Sequence, residues 1–285
     1  MLTKRLLIYI CLLITSITAS AQYKVAACDW MMLKRQKLGE FKLTSDIGAD
    51  GVEVDMGGLG SRVLFDNQLR RPEQAQKFVA AAKEYKVEVP SMAMSGFFAQ
   101  SFLRRANYID LLVDCFETMK IFGSKVAFLP LGGSGKAWHE KGAERDSMVI
   151  RLRRAGNLAQ YYGVTIGIRT GLTAKEDVKL LKEVGSPAVK IYYNLQDAAD
   201  AQRDICKELK QLGKARIVQI HCSNTDSVNL EQDPEIDLLA IKRTLNKMHW
   251  TGWLVVERSR DVTRVRDVRY NFSRNVAYIR KVFND

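Results

Sequence analysis

Eight short apolar runs, each ending in polar residues and each followed by an amphipathic stretch, constrain the fold of this chain more than any other feature. They cover residues 23–30, 51–56, 87–94, 125–130, 164–168, 189–193, 216–222 and 253–256. Their length, their β-branched content and the alternation seen in Val52 and Val54, or Val218 and Ile220, predict buried strands. Between them, apolar residues recur at helical spacing. Leu38, Phe41 and Ile47 form one such face. Pro72 opens the next, carrying Ala75, Phe78 and Ala82. A long helix is predicted over residues 102–122 and stopped by Gly123. Met148, Leu152, Ala155 and Ala159 trace a fourth. Thr173 and Glu176 form a capping-box pattern for a helix ending at Gly185. Ile205, Leu209 and Leu212 mark a short helix. Asp233-Pro234 is expected to open the one carrying Ile241 and Leu245, and Val268, Phe272, Val276 and Ile279 lie on the last.

Eight strand–helix units with no Pro-, Gly- or Ser-rich linker between halves predict one (β/α)₈ TIM barrel over residues 22–285. A doubly wound open sheet would carry a Gly-rich phosphate turn after its first strand, and Cys28-Asp29-Trp30-Met31 is not one. Gly132-Gly133-Ser134-Gly135 lacks both GxGxxG spacing and a P-loop lysine, and reads as a loop passing close to ligand.

The first residues read as a targeting segment. Lys4 and Arg5 precede an apolar run over 6–14, and Ala19-Ser20-Ala21 supplies an A-x-A cleavage pattern. Residues 1–21 are therefore expected to be a signal peptide, the protein to be exported to the periplasm, and no stable membrane insertion to follow cleavage. The formal net charge is +12, but Lys and Arg are interleaved with acids along the helices, so nucleic acid is not an expected partner. Cys28, Cys115, Cys206 and Cys222 show no CxxC spacing, which argues against structural zinc. Cys28 and Cys222 both fall at strand ends; buried free thiols are expected, with a disulfide between them left open.

In such a barrel the site is built at the C-terminal ends of the strands. The residues there are Asp29 and Trp30, Glu53 and Asp55, Ser91, Pro130, Arg169 and Thr170, Asn194 and Gln196, His221, and Glu257 with Arg258. Glu53, His221 and Glu257 have ligand chemistry, and carboxylate with imidazole suits Mn, Co, Zn or Fe. His139 and His249 are assigned no role.

Several of these strands, Ile166-Gly167-Ile168-Arg169-Thr170, Tyr192-Tyr193-Asn194, Gln219-Ile220-His221-Cys222 and Val255-Val256-Glu257-Arg258, resemble the second half of xylose-isomerase-like TIM barrels. Gly51-Val52-Glu53-Val54 resembles the second strand of that family, which includes sugar isomerases, epimerases and endonuclease IV. The resemblance implies a divalent metal (Mn, Co, Zn or Mg) held by Glu, Asp, His and Glu from strands five to eight. It also implies that the two Glu exchange protons with the sugar carbon beside the carbonyl. Carried over by position, His221 and Glu257 match. Asn194 stands at the Asp position and Arg169 at the first Glu position, so a retained metal would rest on His221, Glu257 and Asn194. The expectation is instead that Arg169 occupies the cation's place, paired with Glu257 and with Glu53 as a second partner. Glu257, His221 and Arg169 are then the expected catalytic residues, and Trp30, Glu53, Asn194 and Arg258 the substrate contacts. Glu53 is the stand-in for the missing proton-transfer carboxylate. The expected partner is a small sugar or keto-sugar, and a homo-oligomer is left open. The competing reading is a non-catalytic barrel that binds a sugar or acidic ligand.

Overall fold

The computed structural model describes residues 23–284, so the signal-peptide reading of 1–21 lies outside the described residues. Eight parallel strands close into a barrel in sequence order. They are β1 (Val25–Cys28), β2 (Gly51–Asp55), β3 (Ser91–Ala93), β4 (Val126–Pro130), β5 (Thr165–Arg169), β6 (Val189–Asn194), β7 (Ile217–Cys222) and β8 (Leu254–Val256). The ring closes where β1 pairs with β8, Ala26 opposite Val255. The helices are α1 (Gly39–Asp46), α2 (Pro72–Glu84), α3 (Tyr108–Phe122), α4 (Ala143–Tyr162), α5 (Ala174–Val184), α6 (Leu195–Asp200), α7 (Ile205–Leu212), α8 (Leu238–Lys247) and α9 (Val268–Asn284). The (β/α)₈ reading therefore holds.

Two separate cores follow from the alternation of side chains along each strand. The larger lies between strands and helices and includes Phe41, Phe78, Phe116, Leu152, Leu209 and Val276. The smaller fills the barrel: Ala26, Ala93, Val126, Phe128, Tyr192 and Val255. Gly167 on β5 makes room for it. A Cβ there would lie 2.8 Å from Val218 and 2.9 Å from the Tyr192 ring, so only glycine leaves Tyr192 its place across the interior.

Helix ends follow local chemistry. Thr173 and Glu176 complete the capping box of α5, and Gly123 ends α3 with φ at +69°. Three boundaries differ from expectation. The helix predicted from residue 102 begins at Tyr108, because Arg151 of α4 ties down the carbonyls of Phe102 and Arg105 at 3.1 and 2.8 Å. The helix predicted from Asp233 begins at Leu238, capped by Asp237. Asp233 instead accepts the Asn224 side chain at 2.6 Å. The third strand shrinks to three residues after Pro90, which has no amide hydrogen to give a ladder. All four described cysteines are free, so Cys28 and Cys222 form no disulfide.

Candidate active site

The ends of β5, β6, β7 and β8 bring Arg169, Asn194, His221 and Glu257 together. Arg169 is the hub. Its Nη1 donates to both Glu257 oxygens, at 3.2 and 3.0 Å. Its Nε and Nη2 grip Asp197 in a two-point fork at 2.9 and 2.6 Å. Burial disfavours the charged guanidinium, but Glu257 and Asp197 outweigh it and raise its pKa. Burial likewise pushes the Glu257 carboxyl up. The charge of Arg169, the nearby His221 and the Asn194 hydrogen bond reverse that and hold it below the usual range. Glu257 is thus kept ionised.

Asn194 has both ends of its amide committed. Its Nδ2 donates to Glu257 at 2.9 Å. Its Oδ1 accepts Gln196 N at 2.9 Å and Ser223 Oγ at 3.0 Å, capping α6. That cap places Asp197 in the first turn, facing Arg169. Asp197 was not foreseen. A six-residue helix is too short to show periodicity, and the only signal is an Asn followed three residues later by an acid.

His221 and Glu53 form a fully buried pair, Nε2 to Oε1, at 2.9 Å. Glu53 also accepts Ser91 Oγ at 2.6 Å and Tyr192 OH at 2.8 Å. With three donors on its carboxylate, Glu53 sits behind His221 and away from the mouth. This corrects two expectations: Glu53 pairs with His221 rather than Arg169, and it is out of reach as a substrate contact or as the second proton-transfer group. Nε2 faces Glu53 Oε1, and Nδ1 is the ring nitrogen on the Glu257 side. Nδ1 has no hydrogen-bond partner and lies 3.8 Å from Glu257 Oε2.

Aromatic rings pack around this centre. Phe128 stands edge-on to His221 at 4.7 Å, and Trp30 lies parallel to Phe128 at 6.3 Å. Trp30 thus covers the centre from the mouth side. Arg258 is drawn away from Glu257, pairing with Asp226 at 2.9 Å. Beside Arg169 a cavity of about 410 Å³ opens to solvent, lined by Phe98, Lys136, His139, Arg169 and Asp197 among others. His139, assigned no role from sequence, is therefore on its wall. Burial lowers its pKa. A cavity of about 550 Å³ lies at the other end of the barrel, against Val126, Val218 and Trp253, remote from these residues.

Across the mouth, Asp29, Glu40 and Asp55 form a second buried acidic group. Gln36, with φ at +45°, straps it: its amide donates to Asp29 at 2.9 Å and its side chain to the Asp55 carbonyl at 2.8 Å. Asp55 pairs with the half-exposed Arg35 at 3.0 Å. Neither oxygen of Glu40, nor Oδ1 of Asp29, meets a donor, yet the two carboxyls lie within hydrogen-bonding reach of each other. Burial, then the Asp55 charge, pushes Asp29 up to about 7. Burial raises Asp55 to about 6 despite Arg35, and burial, then Asp29, raises Glu40 as well.

The donor set around Glu257 does not fit a divalent cation. A guanidinium cannot coordinate and already fills the space beside the carboxylate, and the Asn194 amide has no oxygen lone pair turned toward it. Among the described residues, no three His, Cys, Asp or Glu side chains gather as a metal-holding group.

With the barrel and the strand-end cluster established, the chain's relationships are clear. The sequence profile of the xylose isomerase-like TIM barrel family matches residues 41–281, and the chain belongs to that family. No curated protein matches it in sequence. Among solved structures it is similar to the 3-keto-D-glucoside 4-epimerase of E. coli (TM-score 0.69, 14% identity, covering 91% of this chain and 99% of that one). It is also similar to a D-psicose 3-epimerase determined in the presence of D-fructose (TM-score 0.73, 12% identity, 92% and 100%). A xylose isomerase domain protein from Planctomyces limnophilus aligns comparably (TM-score 0.68, 12% identity, 94% and 100%). At these identities the likeness is one of fold.

Proposed function

We propose that this chain is an exported sugar isomerase- or epimerase-type enzyme that removes the proton beside a carbonyl, with Arg169 supplying the positive charge. The observation that carries the reading is the convergence of three groups on one point. Glu257 is ionised, Arg169 donates to it at 3.0 Å, and the free Nδ1 of His221 lies 3.8 Å away. Family membership and the sugar epimerases among the structural neighbours support it. Export rests on the amino-terminal sequence pattern alone.

In this reading Glu257 takes the proton from the carbon beside the carbonyl, and the electron pair moves onto the carbonyl oxygen. Arg169 weakens Glu257 as a base while it pairs with it. As negative charge leaves the carboxylate for the enediolate oxygen, the same N–H groups follow it. Return of the proton to either carbon or either face gives isomer or epimer, and expulsion of a β-substituent gives elimination. His221, oriented by Glu53, holds the oxygen or the second proton.

A second reading, a sugar-binding barrel without catalysis, is favoured by one observation: His221 is fully buried, and Glu257 is almost so and already neutralised. Incubation with keto- and aldo-sugars in D₂O, with and without divalent metals, separates the two. Deuterium at the carbon beside the carbonyl, lost in Glu257→Gln, is the expected outcome; ligand-induced thermal stabilisation without exchange supports the binder. A stoichiometric Mn²⁺ or Zn²⁺ on His221 and Glu257 would overturn the role given to Arg169.

A further inference from the structure

The positive charge of the chain is not spread evenly. Two loops, residues 30–38 after β1 and residues 258–269 after β8, hold eight Lys or Arg against two Asp. That surplus of six is half of the chain's formal +12. Strands β1 and β8 are neighbours in the closed ring, so both loops rise on the same side of the barrel mouth. Arg35, Arg258, Arg260 and Arg269 are drawn to acids: Asp55, Asp226 twice over, and Asp46. Lys34, Lys37, Arg264 and Arg266 form no ion pair among the described residues, and all but Lys34 are exposed.

Apolar side chains gather at the same place. Ten large apolar side chains are exposed among the described residues, and five of them lie on the loops after β8, β1 and β2. They are Val262 and Val265, Leu33 and Leu38, and Val63, with Leu33 65% and Val262 58% exposed. Scattered singly they would need no explanation; gathered on three adjoining loops they mark an interaction surface. The loops that display them are tied down. Val262 N donates to the Ser227 carbonyl at 3.2 Å, and Asp261 N to Asn271 at 2.9 Å. On the β1 side Gln36 is bonded to Asp29, Asp55 and Asn67. Leu33 holds φ at +57°, a conformation that a residue with a Cβ seldom adopts.

Cations interleaved with exposed aliphatic tips define the occupant. A second copy of this face would set like charge against like. Nucleic acid or another soluble polyanion would pair with the cations but gain nothing from Leu33 or Val262. A bilayer surface bearing anionic headgroups uses both. The cations meet its surface charge, and the aliphatic tips enter the boundary between headgroups and acyl chains. We infer that the β8–β1–β2 side of the mouth is a docking surface for a bilayer containing anionic phospholipid, bound reversibly and without a spanning segment. Strands β4, β5 and β6 lie across the ring, so the cavity beside Arg169 stays open in the docked protein. Docking needs no turnover and is independent of the sugar-active reading.

Flotation with vesicles tests it. The protein is used without residues 1–21, whose own apolar run would enter lipid and which stand outside the described barrel. Vesicles of phosphatidylcholine are compared with vesicles in which about a third of the lipid is phosphatidylglycerol. The wild type is expected to bind the anionic vesicles about tenfold more tightly. Arg264→Gln with Arg266→Gln should weaken that binding on the order of twentyfold, about fivefold per cation. Lys175→Gln with Lys210→Gln, which removes the same charge from α5 and α7, should change it less than about twofold. Leu33→Ser with Val262→Ser should weaken it about tenfold. All six residues are exposed, so each variant keeps the barrel. No binding, equal binding to both kinds of vesicle, or an equal loss in the helix-lysine variant would overturn the surface. Anionic binding indifferent to the two serines would make the occupant a soluble polyanion, and a dimer dissolved by the same substitutions would make it a second copy. Either result overturns bilayer docking.

Discussion

Two groups of buried acids face each other across one barrel mouth, and they solve the same problem in opposite ways. Glu257 keeps its charge because Arg169, Asn194 and His221 are arrayed against it. Asp29 and Glu40 have no cation against them, and burial pushes both carboxyls up. Desolvation is common to both, and the partner decides the outcome. Reactive charge is thereby confined to the β5–β8 side, while the β1–β2 side anchors the strap that carries Trp30.

Removing the cation breaks the contrast most severely. Arg169→Met leaves Glu257 and Asp197 without compensation and should destabilise the fold by about 3–5 kcal/mol, measured by urea denaturation at pH 7. It should also abolish deuterium exchange. Stability close to wild type would show that the ion pairs are dispensable. A smaller loss, about 1.5–3 kcal/mol, is expected for Glu53→Gln, which weakens three hydrogen bonds at once and misorients His221.

The opposite group responds to pH with the opposite sign. Asp29 and Asp55 bind protons more tightly in the folded protein, with values near 7 and 6 against about 3.9 unfolded. Their contribution is complete below pH 4 and is lost as pH rises through about 7. Asp177, pushed up to about 8 by burial, adds to the same slope. Glu257, held down, contributes above its unfolded value of about 4.3 and loses that contribution as pH falls. Stability should therefore decline between pH 5 and 8. Glu40→Gln, which removes one of the crowded acids, should flatten that decline and gain about 1 kcal/mol at pH 8, seen as a higher melting temperature. An unchanged slope would mean that Glu40 does not add to the crowding of Asp29 and Asp55. The smallest effect is a control at a site where neither device operates: Thr173→Ala, which removes the α5 cap, should cost about 0.5–1 kcal/mol and leave exchange untouched.

The barrel was legible because strand and helix signals are local. Each strand announces its own alternation, and Thr173-x-x-Glu176 needs no distant partner. The four strand-end positions of the candidate site were legible too, because a strand's end fixes where its last side chain points. Pairing was not. Glu53 reads on paper as an inward acid like any other, and only the positions of Tyr192 and Ser91 show that its carboxylate is spent behind His221. Glu40 is a charged residue in the first turn of α1, with no sequence signal to place it in the interior, yet it is fully buried. His139 reads as a loop residue until the β4 loop folds back beside Arg169.

The double commitment of Asn194 has a consequence for the mutational paths open to this protein. An aspartate there would keep the cap but turn a carboxylate toward Glu257 where a donor now stands. A glutamate at 169 would leave three acids with no cation. Each single step passes through a crowded, repelling intermediate, and only both together, with a positive ion arriving at the same time, reach a coherent alternative. The present arrangement is thus separated from a metal-holding one by at least two coordinated substitutions.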